Sequence, residues 1–178
     1  SLDVTTTNNF FDIIIFDLGL SSNQLDNPKR GFSFMQDGPL DMNMGYSKIV
    51  ASEVINNFSE KKLANIFFEL GEERFAKRIA RSIVKCRKLR LIKSTKELSK
   101  LINESIPKIV SKKTKTNPST KTFQALRIYV NDELNELRIA LKKTTQLLKK
   151  KGKLIVVSFQ SLEDRIVKDF FNHQSGKR

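Results

Sequence analysis

The stretch Ile13-Ile14-Ile15-Phe16, running straight into Asp17-Leu18-Gly19-Leu20-Ser21-Ser22, decides how this chain is read. So short an apolar run, rich in β-branched residues, matches a buried parallel strand. It stops at a carboxylate followed by glycine. Open α/β sheets bind ligands in the crevice outside the carboxyl ends of their strands, so Asp17–Ser22 is where chemistry is expected. An Asp-x-Gly sequence also serves merely to turn a corner, and the run alone does not choose between the two.

Downstream, residues 18–45 are punctuated by Gly19, Pro28, Gly31, Gly38, Pro39 and Gly45, a long loop anchored by Phe32, Phe34, Leu40, Met42 and Met44. Gly31 and Gly38 are assigned to turn geometry. Helical periodicity follows. Ser47 is expected to cap a helix through Asn56, and Ser59 another through about Leu70, ended by Gly71. Glu72 to Lys88 carries one apolar stripe, Phe75, Ile79, Ile83 and Cys86, opposite Lys77, Arg78, Arg81, Lys85 and Arg87. Ser94 with Glu97 reads as a capping box for a helix ending near Ile106-Pro107. A basic connection containing Lys112-Lys113-Thr114-Lys115 leads into one long helix from about Thr120 to Lys150, its end marked by Lys149–Lys151 and by Gly152 at C′. Leu154-Ile155-Val156-Val157 is the second buried strand, and Ser161 and Asp164 open a final amphipathic helix. Strand, helical block, long helix, strand and helix together predict an α/β unit with a helical insertion after its first strand.

At 178 residues and 39% apolar composition the chain can bury one sizeable core. No apolar segment approaches the roughly 20 residues that span a bilayer. Ser1 to Asn9 lacks the features of a signal peptide, so a cytoplasmic location with no membrane partner is expected. A single cysteine, Cys86, excludes an internal disulfide. With His173 the only histidine, no metal site is expected, and Cys86 and His173 are assigned packing or solvated roles. The net charge of +14 favours a polyanionic partner through counterion release. Lysine outnumbers arginine 23 to 10, a bias that an AT-rich coding sequence also produces, so a membrane surface or an acidic protein stays open on composition alone.

Several longer strings carry more information: Gln24-Leu25-Asp26, Arg30-Gly31-Phe32-Ser33-Phe34, Asp37-Gly38-Pro39-Leu40-Asp41-Met42, Thr122-Phe123-Gln124-Ala125-Leu126-Arg127-Ile128, Val130-Asn131-Asp132-Glu133-Leu134 and Ser158-Phe159-Gln160-Ser161-Leu162-Glu163-Asp164-Arg165-Ile166-Val167-Lys168. In this order, from about Phe11 to about Phe171, they closely resemble the ribosomal RNA small subunit methyltransferase H family. The resemblance implies a partial Rossmann-like class I methyltransferase fold with an inserted α-helical domain. It divides the chain into 1–45 (strand and active-site loop), 46–116 (helical, substrate-recognition insertion) and 117–178 (second part of the core). It also implies S-adenosyl-L-methionine as cofactor, 16S ribosomal RNA or the small ribosomal subunit as partner, and methyl transfer to the exocyclic N4 of a cytidine.

By the same resemblance, Asp17 and Gln24 match positions that contact the cofactor. Asp17, Gly19, Ser21 and Ser22 form the bend whose carbonyls, carboxylate or hydroxyls would aim the amine, with Ser158 and Gln160 joining from the second strand. Stacking on the target base falls to Phe32 or Phe34, since the bend lacks the Pro-Pro-aromatic sequence of related amino-methyltransferases, although both rings also suit buried anchoring. Arg30, Asp41, Arg78, Arg81, Arg127 and Arg165 are candidate RNA contacts; Arg30, Asp37 and Asp41 serve equally to order their loop. Two departures matter, because the family usually has Arg where this chain has Asn43 and His where it has Gln160; Gln160 replaces only the hydrogen bonding of an imidazole. The family's glycine-rich cofactor loop has no counterpart here, and the chain starts without Met close to its first strand, so an excised piece or a truncated gene with weak cofactor binding is expected. The competing reading is a non-catalytic RNA-binding or assembly module, or an inactive relic. A nucleotide-dependent α/β enzyme of another type has no phosphate-binding loop to support it. Whether the chain dimerises stays open.

Overall fold

A computed structural model describes residues 10–107 and 116–176. It resolves into two compact units, Ser1–Leu20 with Glu133–Arg178, and Ser21–Asp132. The basic run at Lys112–Lys115 lies outside the described residues.

In the first unit, β1 (Phe11–Asp17) and β2 (Leu148–Val157) pair in parallel, with Ile13 opposite Lys153 and Asp17 opposite Val157. Alternation sends Ile14, Phe16, Leu154 and Val156 to one face, where Phe16, Leu154 and Val156 pack on Leu137 and Leu141 of α7 (Glu133–Leu147) and on Val167 of α8 (Ser161–Gln174), joined by Ile166 and Phe170. Ile13, Ile15, Ile155 and Val157 project from the other face and are exposed. The strands therefore read as buried on both sides in sequence but are covered on one side among the described residues. Two strands alone have little independent stability and depend on the helices packed against them.

The second unit is helical. It opens with α1 (Ser22–Asp26) and a 3₁₀ turn (Pro28–Arg30), followed by α2 (Ala51–Asn57), α3 (Glu60–Gly71), α4 (Ala76–Arg87), α5 (Thr95–Ser105) and α6 (Thr120–Asn131). Helix α3 packs against both α4 and α6, and α4 against α5. Phe67, Ile55, Leu63, Ile79, Ile83, Leu98 and Leu126 are fully buried between them. Gly71 permits the α3–α6 approach: a Cβ there would lie 2.5 Å from the Lys121 carbonyl oxygen. The α/β order expected from the sequence is present, with a helical block inserted between the two parallel strands.

Four local expectations change. Ser47 does not cap α2; its hydroxyl turns back on Ile49, and the first-turn amides of Ala51 and Ser52 bond instead to the carbonyls of Asp41 and Leu40 at 2.8 and 2.7 Å. The loop backbone does the capping because Leu40 and Met42 are pinned in the core. The long helix is two helices, broken at Asp132, whose φ of 50° is left-handed. Its apolar stripe serves two cores: Phe123, Leu126 and Val130 belong to the helical unit, Leu137 and Leu141 to the strand unit. The lysines assigned to its end, Lys149–Lys151, lie in β2, where Lys149 pairs with Asp12 at 2.9 Å, because cross-strand pairing outweighs helix propensity there. The compact units also divide at 20/21 and 132/133, so the loop and α6 go with the helices rather than with the strands.

Candidate active site at the strand ends

Parallel strands in register bring their carboxyl ends to one edge. Asp17 lies directly opposite Val157, and the amide of Leu18 extends the ladder by donating to the Val157 carbonyl at 3.0 Å. The chain then bends at Gly19, whose φ of +113° an L-residue rarely adopts. Asp17 is exposed, with its side chain on the open face of the sheet beside Ile15. After β2 come Ser158, Phe159 and Gln160, so this edge gathers a carboxylate, a hydroxyl, an amide and an aromatic ring.

Phe159 was not singled out in the sequence, yet it is 76% exposed and its Cδ2 lies 3.8 Å from where a Cβ on Gly19 would be. The available signal was parity. Residues 153, 155, 157 and 159 fall on the same open side, so the ring continues that side beyond the strand end. Glu163 was missed as well. It is 4% exposed in the first turn of α8; its Oε1 accepts a hydrogen bond from Gln160 Nε2, and its Oε2 has no hydrogen-bond partner among the described residues. That bond sets the orientation of the amide standing where the family resemblance places an imidazole. Arg165, on the same helix, is exposed.

The other candidates belong to the helical unit. Ser21 caps α1 in a reciprocal box: Gln24 N donates to Ser21 Oγ at 3.4 Å, and Ser21 N and Oγ donate to Gln24 Oε1 at 2.9 and 3.2 Å. The Ser21 hydroxyl and the Gln24 oxygen are thus engaged, which leaves the Gln24 amide nitrogen as the group able to donate to a ligand. Ser22 is the first residue of α1 and is exposed. Phe32 is only 6% exposed with the Arg30 guanidinium 5.5 Å from its ring centre, and Phe34 packs edge-on against Phe123 at 5.1 Å. Both rings are anchors, and neither offers a free face comparable with Phe159.

Arg30, Asp37 and Asp41 order their loop through backbone hydrogen bonds. Arg30 Nη2 donates to the Asn43 carbonyl at 3.0 Å, and Asp41 Oδ1 accepts from the Asn43 amide at 2.9 Å. Asp37 Oδ1 accepts from the Lys96 amide at 3.1 Å. The Ser94 hydroxyl, followed by that amide, holds the Asp37 carboxyl below the usual aspartate range. Gly31 has a left-handed φ of +70°, in keeping with a turn, and both glycines are needed for close approach: a Cβ would lie 2.1 Å from the Pro39 carbonyl oxygen at Gly31 and 1.9 Å from the Pro28 carbonyl oxygen at Gly38. Asn43 has its own work as donor to Ser47 O and acceptor from Gly45 N, both at 2.6 Å, a turn an arginine at this position would not reproduce.

On α4, Lys77, Arg78, Arg81 and Lys85 form an exposed basic face, with Arg81 Nε 3.6 Å from Glu60. Arg87 has a different role: it donates to the Ile55 carbonyl at 2.6 Å and to the Phe58 carbonyl, closing the end of α2, and partial burial lowers its pKa. Arg127 is half-buried on α6. His173 is exposed and Cys86 half-buried with a free thiol. Among the described residues no group of His, Cys, Asp and Glu could hold a metal, and no helix is long and apolar enough to cross a membrane.

Residues 2–178 match the model of the MraW methylase family. The chain belongs to that family. As a member, it is 53% identical over 165 residues to a protein of Caldicellulosiruptor saccharolyticus named ribosomal RNA small subunit methyltransferase H, covering 92% of this chain and 53% of that protein. It is 52% identical over 167 residues to proteins of the same name from Rickettsia massiliae and Rickettsia bellii, covering 94% of this chain and 53% and 54% of theirs. The chain spans about half the length of the curated relatives it matches. The strand and helix order described above is thus a portion of the α/β methyltransferase fold of this family.

Proposed function

We propose that this chain is the strand-end portion of a ribosomal RNA methyltransferase that uses S-adenosylmethionine to methylate the exocyclic N4 of a cytidine in the small-subunit RNA. The observation that carries the reading is the Asp17–Gly19 bend at the carboxyl end of β1, aligned with the end of β2, in a member of the MraW methylase family. The residues fit the cofactor's chemistry. Asp17 offers an exposed carboxylate to accept from its hydroxyl or amine N–H groups. When bound, S-adenosylmethionine supplies an electrophilic sulfonium methyl with a neutral thioether as leaving group.

The demand on the protein is therefore position and electrostatics rather than strong acid–base chemistry. The N4 lone pair is delocalised into the pyrimidine ring. Acceptors on its N–H groups, the Asp17 carboxylate and the carbonyls of the bend, favour pyramidalisation and aim the lone pair. A methylated amine would be acidic, and its proton would pass to solvent or to the exposed Asp17 carboxylate. The net charge of +14 and the exposed Lys77, Arg78, Arg81 and Lys85 face suit an RNA substrate.

The test supplies tritiated S-adenosylmethionine and small ribosomal subunits, then digests the RNA to nucleosides. The expected product is N4-methylcytidine, lost when Asp17→Asn removes the carboxylate; label in another nucleoside, or undiminished label with Asp17→Asn, overturns the reading. A second reading has one observation in its favour, the Gln160 amide tied to Glu163 where an imidazole is usual. It is an RNA-binding or assembly module without chemistry. Salt-dependent RNA binding without methyl incorporation, even after fusion to the unmatched half of a relative, selects it.

A further inference from the structure

We propose that Phe159 is the stacking platform for the target pyrimidine, a role that rests on the RNA-methylation reading above. An aromatic at the strand-end edge is required on physical grounds. A base brought out of its stack gives up several kcal/mol of stacking and pairing, and base-modifying enzymes recover it by stacking the extruded ring on a side chain. The two rings that the sequence offered for this task are occupied, Phe32 in the core beneath Arg30 and Phe34 against Phe123. Phe159 is 76% exposed. It continues the open side of the sheet just past the end of β2, and its ring edge borders Gly19, two residues from Asp17.

The bend shapes the space beside the ring. With no side chain at Gly19, backbone rather than a rotamer-rich group borders Phe159, and its φ of +113° strains any substitution that would fill the gap. A ring stacked on Phe159 would present its exocyclic amine toward the strand end, where Asp17 and the bend carbonyls accept. The occupant is a base rather than a covering helix because the apolar side chains that such a helix would cover, Ile13, Ile15, Ile155 and Val157, stop at the strand end, whereas Phe159 shares its surroundings with Asp17, Ser158 and Gln160.

The chain has no tryptophan, so Phe159→Trp creates a single emission probe at the position in question. The protein is titrated with a short single-stranded RNA carrying one cytidine, and with the same RNA carrying an abasic ribose in its place. The expected result is quenching of the tryptophan by the cytidine RNA alone. In parallel, Phe159→Leu, which keeps apolar bulk without a π-face, weakens cytidine RNA binding about tenfold and leaves the abasic RNA unaffected. Far-UV circular dichroism of both variants matches the parent. Unchanged emission with equal binding of parent and Phe159→Leu overturns the role of Phe159 while leaving the RNA reading standing. Equal losses for both RNAs overturn it in favour of structural damage. No RNA binding by the parent at low salt overturns the inference together with the reading beneath it. Emission already blue-shifted without RNA, in a chain that elutes as a dimer, overturns it in favour of a second copy covering the ring.

Discussion

Phe67, at the centre of the helical unit, is fully buried, whereas Ile15, in the middle of the strand unit's sheet, is 63% exposed. The two residues have similar hydrophobicity and similar sequence surroundings, and the difference lies in what their elements have to pack against. Helices α3, α4, α5 and α6 are covered by one another and by the anchored loop, so their apolar faces close on themselves. Helices α7 and α8 pack on one face of the sheet through the small cluster of Leu137, Leu141 and Val167, and among the described residues nothing buries Ile13, Ile15, Ile155 or Val157 on the other. The helical unit closes a core of its own, and the strand unit leaves an exposed carboxylate, a bend and a ring at one edge.

The largest expected effect breaks the closed side of this comparison. Phe67→Ala should destabilise the helical unit by about 3–5 kcal/mol, read as a lower urea midpoint for the loss of helical circular dichroism. An unchanged midpoint would show that the core does not depend on α3. Leu141→Ala tests the open side, with an expected loss of about 2–4 kcal/mol that falls on the strand unit. Hydrogen exchange should then show β1 and β2 amides losing protection while α3 and α6 retain theirs; a uniform loss across both would mean that the two units unfold as one.

The smallest effect is electrostatic and belongs to the loop that anchors the helical unit. The Asp37 carboxyl is held below its usual range chiefly by the Ser94 hydroxyl and then by the Lys96 amide. A depressed folded-state value stabilises the fold above the ordinary aspartate pKa of about 3.9 and loses that contribution as pH falls through the lower folded value. Thermal melts between neutral and acid pH should therefore show a shallower acid decline for Asp37→Asn than for the parent. Parallel curves would remove Asp37 from the account of the loop.

Much of this was legible along the chain, and what was not has identifiable causes. The Ser59 cap was visible because capping is local, and Ser59 Oγ indeed accepts from the Lys62 amide at 3.2 Å. Ser94 likewise accepts from the Glu97 amide at 3.3 Å, although the Glu97 carboxylate accepts from the Lys93 amide rather than from that of Ser94, so the box does not close. The Ser47 expectation failed because Leu40 and Asp41 supply the cap for α2 from the preceding loop, and backbone carbonyls leave no residue signature. The break at Asp132 was invisible for a related reason. Its apolar periodicity continues across the break, since both halves need a stripe, and only the existence of two cores shows that one helix became two.

The same division holds at the candidate site. Residue order alone determined that an apolar strand ends at Asp17 and Gly19, that a second strand ends before Ser158, and that the motifs between belong to one methylase family, because strand patterning and motif identity are written in consecutive residues. Tertiary structure alone decided that Phe32 is buried and Phe34 is packed edge-on against Phe123 while Phe159 stands open beside Gly19, and that Glu163 holds Gln160. Whether a ring is exposed depends on what other elements place against it, and that information is distributed over residues far apart in the chain.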